Sequence, residues 1–359
     1  MENPIRSDKI AAREVRYVWG ERVPIGMPSL IAGRPGEGKS LFAAFLAAEV
    51  TKKGHTVVFS NIEDPLPQVV RPRLEAAGAK LDRVYFWSPM LPSDLDALDK
   101  VLSETKAKLV VLDPIAAHLK VSIYNDQDVR SVLSPLSKLL VKHNAAAVFI
   151  HHTVKNIGTS GHPLRAVGGS GGGLPGASRA VYIFGPDPVN SDERVLIPIK
   201  FNLAKRPTVA HFEMDEEEVI AGTGHKAKLL QAGRLLYLPT RNEPVNPWSV
   251  IGGTTGPGAG PSVDRRAEAA EWLTHYLSLG PRPVKELKED GIQNGHSWST
   301  IRRAADAIEV EITRTGFGPG GKSLWGLPAG HPLLAQGEDA PGKDSTDNGT
   351  DKLEGGGSG

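Results

Sequence analysis

Short apolar, β-prone runs recur over the first two-thirds of the chain: Ser29–Ala32, Thr56–Ser60, Val84–Trp87, Leu109–Leu112, Ala145–Ile150, Ala180–Phe184, Val195–Lys200 and Ala210–Met214. Helical patterns separate the first five, and this alternation predicts a mainly parallel sheet covered by helices. The last three runs follow one another closely, which predicts an antiparallel extension by hairpins. Within 126–143 the apolar residues Val129, Val132, Leu133, Leu136, Leu139 and Leu140 keep helical spacing, with Pro135 expected to kink or break the helix.

The pattern changes past residue 225. A stretch rich in proline and glycine (239–261) makes 226–263 read as a linker. Helical patterns follow at about 264–279, 284–290 and 299–308, then β-like runs at 311–317 and 323–327 joined by Gly318-Pro319-Gly320-Gly321. Three helices and a glycine-tipped hairpin predict a small winged-helix domain over 264–328. The expected organisation is a lead-in (1–28), an α/β domain (29–225), the linker, this small domain, and an acidic tail (329–359) too poor in apolar residues to fold. The tail's final KLEGGGSG reads as a linker or cloning scar.

Composition narrows the chemistry. Among 359 residues there is no cysteine, which excludes disulfides, thiolate nucleophiles and zinc–thiolate sites and suits a reducing cytoplasm. A net charge of +1 provides no global pull toward nucleic acid, so any such contact must be local. No apolar run approaches the ~20 residues of a membrane span, so a cytoplasmic protein is expected.

Between the first run and an alanine-rich helical stretch lies Gly33-Arg34-Pro35-Gly36-Glu37-Gly38-Lys39-Ser40, followed by Leu41. Strand, glycine turn and helix N-terminus together present backbone N–H groups to phosphates. Lys39 would reach the outer phosphates and the Ser40 hydroxyl would ligate Mg²⁺, so a nucleoside triphosphate, ATP, is the expected ligand. Hydrolysis also needs acids. Asp113 ends the run Leu109–Leu112 and is the candidate metal-side carboxylate. Pro114 follows it where many ATPases carry the water-activating glutamate, so that role passes to Glu63, in Asn61-Ile62-Glu63-Asp64-Pro65 after the second run. Asp64-Pro65 is the candidate helix cap.

His151 and His152 end the Ala145–Ile150 run, two strands from the loop by this reading, and one of them is a candidate γ-phosphate sensor. The segment 155–179 carries Lys155, Arg165 and Arg179 around GGSGGG with no acid, which suits a loop gripping a phosphodiester backbone, or a plain surface excursion. Lys200, Lys205 and Arg206 leave a strand together. In an oligomer sharing its nucleotide sites, one of the three, Lys200, Lys205 or Arg206, would reach a neighbour's γ-phosphate; otherwise they form a solvated basic turn.

Taken together, GRPGEGKS, NIEDP with Arg71 and Arg73 behind it, VVLDP, NDQDVRSVLSPL, FIHHTVK, GGSGGGLPGASRAVYIF and IKFNLAKRP resemble the RecA-like P-loop ATPases of the hexameric-helicase type, nearest the RepA-type replicative helicases of plasmids and their phage and actinobacterial relatives. The resemblance spans roughly residues 10–214. It implies a homo-oligomeric ring, a hexamer first among sizes, with nucleotide between subunits and single-stranded DNA in the centre. By position it implies Lys39, Ser40 and Asp113 for phosphate and Mg²⁺, Glu63 as base, a histidine sensor, Lys200 or Arg206 acting in trans, and replication proteins as partners. Pro114 and the glycine-rich loop around 165–173 depart from the family pattern. In the small domain, Arg302 and Arg303 are the residues a winged helix would offer to DNA, while its balanced charge equally suits a protein partner. A DNA-binding regulator or loader that does not unwind is the alternative.

Overall fold

The computed structural model describes residues 4–123, 125–154, 162–168, 173–222, 227–251, 265–294, 296, 298–315 and 322–331. It divides into two units, Met1–Arg265 and Arg266–Gly359.

In the first unit a hairpin of β1 (Tyr17–Trp19) and β2 (Val23–Pro24) leads to β3 (Pro28–Gly33) and helix α1 (Lys39–Lys52). Then come β4 (Thr56–Asn61), α2 (Arg71–Ala76), β5 (Val84–Phe86), α3 (Leu95–Thr105), β6 (Ala107–Asp113), α4 (Asp126–His143) and β7 (Ala146–His152). A short helix α5 (Gly173–Ala177) precedes β8 (Ala180–Pro186), β9 (Glu193–Phe201), β10 (Ala210–Ala221), β11 (Lys228–Leu238) and α6 (Pro247–Ile251).

All but the first two strands join one nine-stranded sheet in the order β11-β10-β9-β8-β3-β7-β6-β4-β5. The block from β8 to β5 is parallel, and β9–β11 are antiparallel. Its central strands are buried on both faces, which explains their near-continuous apolar runs. One face packs on α1, with Phe42, Phe45, Trp19 and Phe212 at its centre. The other packs on α3 and α4 through Leu98, Leu102, Leu133, Leu136 and Leu140. Helix α1 is buried almost all round because the β1–β2 hairpin and β11 cover the side turned from the sheet. Its alanines are therefore packing residues as well as helix formers.

Several expectations need correction. Pro135 sits inside an unbroken helix, since the five buried apolar side chains of α4 hold it against the sheet and outweigh one missing backbone hydrogen bond. Residues 228–238, read as linker, form β11, which pairs with β10 along its whole length. The run read as Ala210–Met214 continues as β10 through the acids Asp215–Glu218, where Arg234 on β11 pairs with Asp215 and Glu217. Within 155–179, read as a loop, the described residues include a 3-10 turn at Pro163–Val167 and the short helix α5, with Ala166, Val167 and Leu174 buried.

The second unit contains α7 (Arg265–Ser278), β12 (Arg282–Pro283), α8 (Val284–Gln293), α9 (Trp298–Ala307), β13 (Glu311–Thr315) and β14 (Lys322–Gly326). Its strands pair in the order β12-β14-β13. Leu273, Leu277, Leu287, Ile301 and Trp325 form its own core, and Trp298 stacks on Trp325 at 5.2 Å. Gly291 lies so near Ile301 that an added Cβ would sit 2.1 Å from its Cδ1. The predicted glycine hairpin tip and the acidic tail beyond 331 lie outside the described residues.

Candidate nucleotide site

Strand register gathers the site. Gly33 pairs with His152 across β3 and β7, and Asn61 pairs with Asp113 across β4 and β6, so four strands end on one edge at one level. Beyond β3 the loop turns through Gly36 (φ 80°) and Gly38 (φ 92°), conformations that residues with a Cβ rarely adopt. Space around Gly36 is open, as a backbone cradle for phosphate requires. At Gly33 the reason for glycine differs: a Cβ would lie 2.1 Å from the Phe184 carbonyl oxygen on β8. Gly33→Ala is therefore expected to lower stability by about 1–3 kcal/mol, the range for overpacking a filled core, measured by thermal or denaturant unfolding.

Lys39 opens α1 and is buried, its Nζ donating to the Arg34 carbonyl at 2.7 Å. Burial pulls its pKa down, against the opposing charges of Asp113, Glu37 and Glu63. Asp113 is 2 % exposed. Its carboxylate accepts hydrogen bonds from the Ser40 hydroxyl and from Asn61 Nδ2, the latter at 3.1 Å. Burial raises its pKa to about 6, Glu63's charge adds to the rise, and the Ser40 bond, Lys39 and Asn61 restrain it.

Glu63 stands 57 % exposed at the mouth of the site, its Oε1 3.8 Å from His152 Nε2. Nδ1 of His152 is buried and has no hydrogen-bond partner among the described residues. His151 turns the other way: it is buried and hydrogen-bonded to the Val167 backbone, and burial depresses its pKa to about 4. The pair thus splits across the sheet as strand geometry requires. The two histidines end the strand next to β3 rather than one two places away, because β7 inserts between β3 and β6.

Asn61, passed over in the sequence, is the joint of the site. Its Oδ1 accepts from the backbone N–H of Glu63 and Asp64 at 3.2 and 2.8 Å while its amide holds Asp113. Asp64 is not the cap expected. The wide turn Leu66–Val70 has no side-chain cap, and the Asp64 carboxylate instead accepts from Arg73 at 2.7 Å. Arg194, also missed, donates from β9 to the Glu37 carbonyl at 3.0 Å and braces the loop. Its distance along the chain left no local signal. Leu41 packs beside Gly38 and Gly233.

The remaining candidates lie elsewhere. Lys200 pairs with Val181 near the opposite edge of the sheet, where its Nζ donates to the Pro175 and Gly176 carbonyls at 2.8 and 2.9 Å. Lys205 and Arg206 follow it and are exposed, as are Arg165 and Arg179. Lys155 lies outside the described residues. Arg302 and Arg303 are exposed on α9 of the second unit. A separate buried cluster of Asp187, Glu193 and His211 brings ligand-type atoms within 4.8 Å of one another. Arg241, bonded to Glu193 and 3.8 Å from Asp187, already supplies a cation there.

A glycine cradle at a helix N-terminus, a buried lysine, and a serine bonded to a strand-end aspartate on a mostly parallel sheet define a P-loop nucleotide-binding core. Residues 4–157 match the family model of an AAA domain, which supports a P-loop ATPase. The match covers under half of the chain and includes the loop, Glu63, Asp113 and both histidines. No curated protein matches the chain. Among the described residues no helix is long and apolar enough to cross a membrane.

The donor set fits Mg²⁺–ATP. Ser40 and Asp113 are hard oxygen donors already in contact, and the loop's N–H groups with Lys39 suit polyphosphate. Metal binding needs the Asp113 carboxylate ionised, so protons compete as pH falls through about 6. Mg²⁺-dependent nucleotide affinity is therefore expected to fall up to ~10-fold per pH unit below that value. Titrating a fluorescent nucleotide at pH 5 and pH 7.5, with Mg²⁺ and with EDTA, checks this; the EDTA series should change less.

Proposed function

We propose that this chain is an oligomeric, Mg²⁺-dependent ATPase that translocates on single-stranded DNA, a helicase of phage, plasmid or mobile-element replication. The observation that carries the reading is the constellation at the sheet edge: Glu63 on the loop after β4 faces His152 on β7, with buried Lys39 and Asp113 beside them. Glu63 is exposed and linked to the metal-side acid through Asn61, which suits a base that must reach water. When bound, Mg²⁺ would neutralise charge on the outer phosphates. Lys39 would leave the Arg34 carbonyl for those phosphates, and His152, whose Nε2 lies 3.8 Å from Glu63, would register the γ-phosphate and pass its loss to the segment after β7.

Lys200 lies at the edge away from its own loop, with exposed Arg206 six residues on, so action on a triphosphate from Lys200 would be on another chain's. This supports nucleotide sites shared between subunits. Exposed Arg165 remains a candidate for gripping a DNA backbone, whereas Arg179, the other candidate, lines a groove beside α4.

The second reading, an ATP-gated regulator or loader, draws on the C-terminal unit. Its order of helix, strand, helix, helix, strand, strand supports a winged helix, and Arg302 and Arg303 are exposed on the third helix. A strand-displacement assay on a forked substrate separates the two. The motor reading expects ATP-dependent unwinding and ATP turnover raised by single-stranded DNA. Turnover of the assembled protein unchanged by single strands, with tight binding to one duplex, would favour the regulator.

A further inference from the structure

Strands β10 and β11 leave the main sheet after Glu213, where pairing with β9 ends, and continue as a two-stranded ribbon to Ala221 and Lys228. The ribbon crosses the α1 and α2 face, with Val219 and Ala232 packed on Ala76. Strand alternation turns Glu218 and Ile220 to the side opposite buried Val219, and both are exposed, as is Glu216 nearer the main sheet. Leu229, cross-strand partner of Ile220, shares that outer face, and the two are 64 % and 61 % exposed. A neighbouring pair of large aliphatic side chains in water at the end of a ribbon is an unsatisfied contact. That outer face carries Ile220 and Leu229 near the described end of the ribbon with two acids behind them, while exposed Lys228 alternates to the opposite face.

The other face of the sheet carries the reciprocal surface. A groove of about 690 Å³ runs along α4 beside the start of β3. Met27, Pro28, Leu133 and Val141 contribute apolar surface, and Arg130, Lys138 and Arg179 line it with positive charge. Val141 is 67 % exposed, Lys138 and Arg179 are exposed, and Arg130 is paired with Asp126 at 2.6 Å.

We infer that the ribbon of one copy docks in the α4 groove of the next, Ile220 and Leu229 entering the apolar part and Glu216 and Glu218 meeting Lys138 and Arg179. The two surfaces match in polarity and charge yet lie on opposite faces of the sheet, so one chain cannot join its own. A second copy can, and such head-to-tail contacts repeat into a ring or a helix. The inference rests on the oligomeric part of the proposed function and names the contact that builds it.

The absence of cysteine makes the test direct. A Ser134→Cys/Leu229→Cys chain, oxidised mildly with Mg²⁺ and a slowly hydrolysed ATP analogue, is expected to give a ladder of disulfide-linked dimers and larger species; neither single variant should. Ile220→Asp/Leu229→Asp is expected to raise the concentration for half-assembly at least tenfold by native mass spectrometry. Mixed with Lys138→Glu/Arg179→Glu it should stop at 1:1 dimers, since only one intact ribbon–groove pair remains. An assembled protein without cross-links, or an Ile220→Asp/Leu229→Asp chain that assembles like its parent, assigns the ribbon to another partner and overturns the contact alone. A parent chain that stays monomeric while hydrolysing ATP overturns the contact and the ring reading together.

Discussion

Replacing Lys39 with Ala is expected to lower ATP turnover by about 10³-fold or more and to weaken nucleotide binding as well. The scale follows from removing a preorganised charge aimed at a transferring phosphoryl group in a water-poor site. Lys39 is suited to this because burial keeps its ammonium poorly solvated while a single carbonyl, that of Arg34, holds it. Retained folding is checkable independently, since Lys39 makes no other hydrogen bond among the described contacts and the core beneath α1 is aliphatic and aromatic. A variant that folds, binds Mg²⁺–ATP as the parent does and turns it over at the parental rate would remove Lys39 from the site.

The second large effect is expected at Glu63. Glu63→Gln keeps size and polarity but loses the proton acceptor, and turnover should fall about 10²–10⁴-fold, the usual worth of a general base. Nucleotide affinity should stay near the parental value, because Glu63 is exposed and its ion-pair partner is His152 on β7, outside the loop. The pairing of the two variants is informative: Lys39→Ala should lose binding and rate, Glu63→Gln rate alone. Single-turnover hydrolysis and equilibrium nucleotide binding, measured on both, give the separation. Equal losses of affinity would mean that Glu63 positions nucleotide rather than water.

Much of this site was legible because its parts are local. A strand, a glycine turn and a helix lie within residues 28–52, and their chemistry depends on neighbours in sequence. Asp113 was legible for the same reason, as an acid ending an apolar run. Asn61 was in view inside NIEDP but had no visible task, since its partner Asp113 arrives from a different strand. Arg194 and Phe184 were out of reach entirely. The demand that residue 33 be glycine comes from the Phe184 carbonyl on β8, which no local pattern reports.

The misread elements have a common cause. Strand β11 was hidden because Gly233 and Arg234 interrupt its apolar pattern, yet Gly233 fits over Leu41 and Arg234 meets acids on β10. Pro135 signals a break by local rules and is overruled by five buried contacts along α4. Asp64 resembled a cap until Arg73, nine residues on, claimed its carboxylate.

The sequence by itself determined the alternation that makes an α/β sheet, the phosphate loop with Lys39 and Ser40, and the acids available to it. Those follow from backbone geometry and periodicity within a few residues. Only the tertiary structure decided that β7 lies between β3 and β6, which sets His152 against Glu63 and turns His151 into the core. Only it placed the exposed pair Ile220 and Leu229 and the basic α4 groove on opposite faces. Strand order and facing surfaces arise from packing among distant segments, where the free energy depends on which partners meet and not on any one segment's pattern.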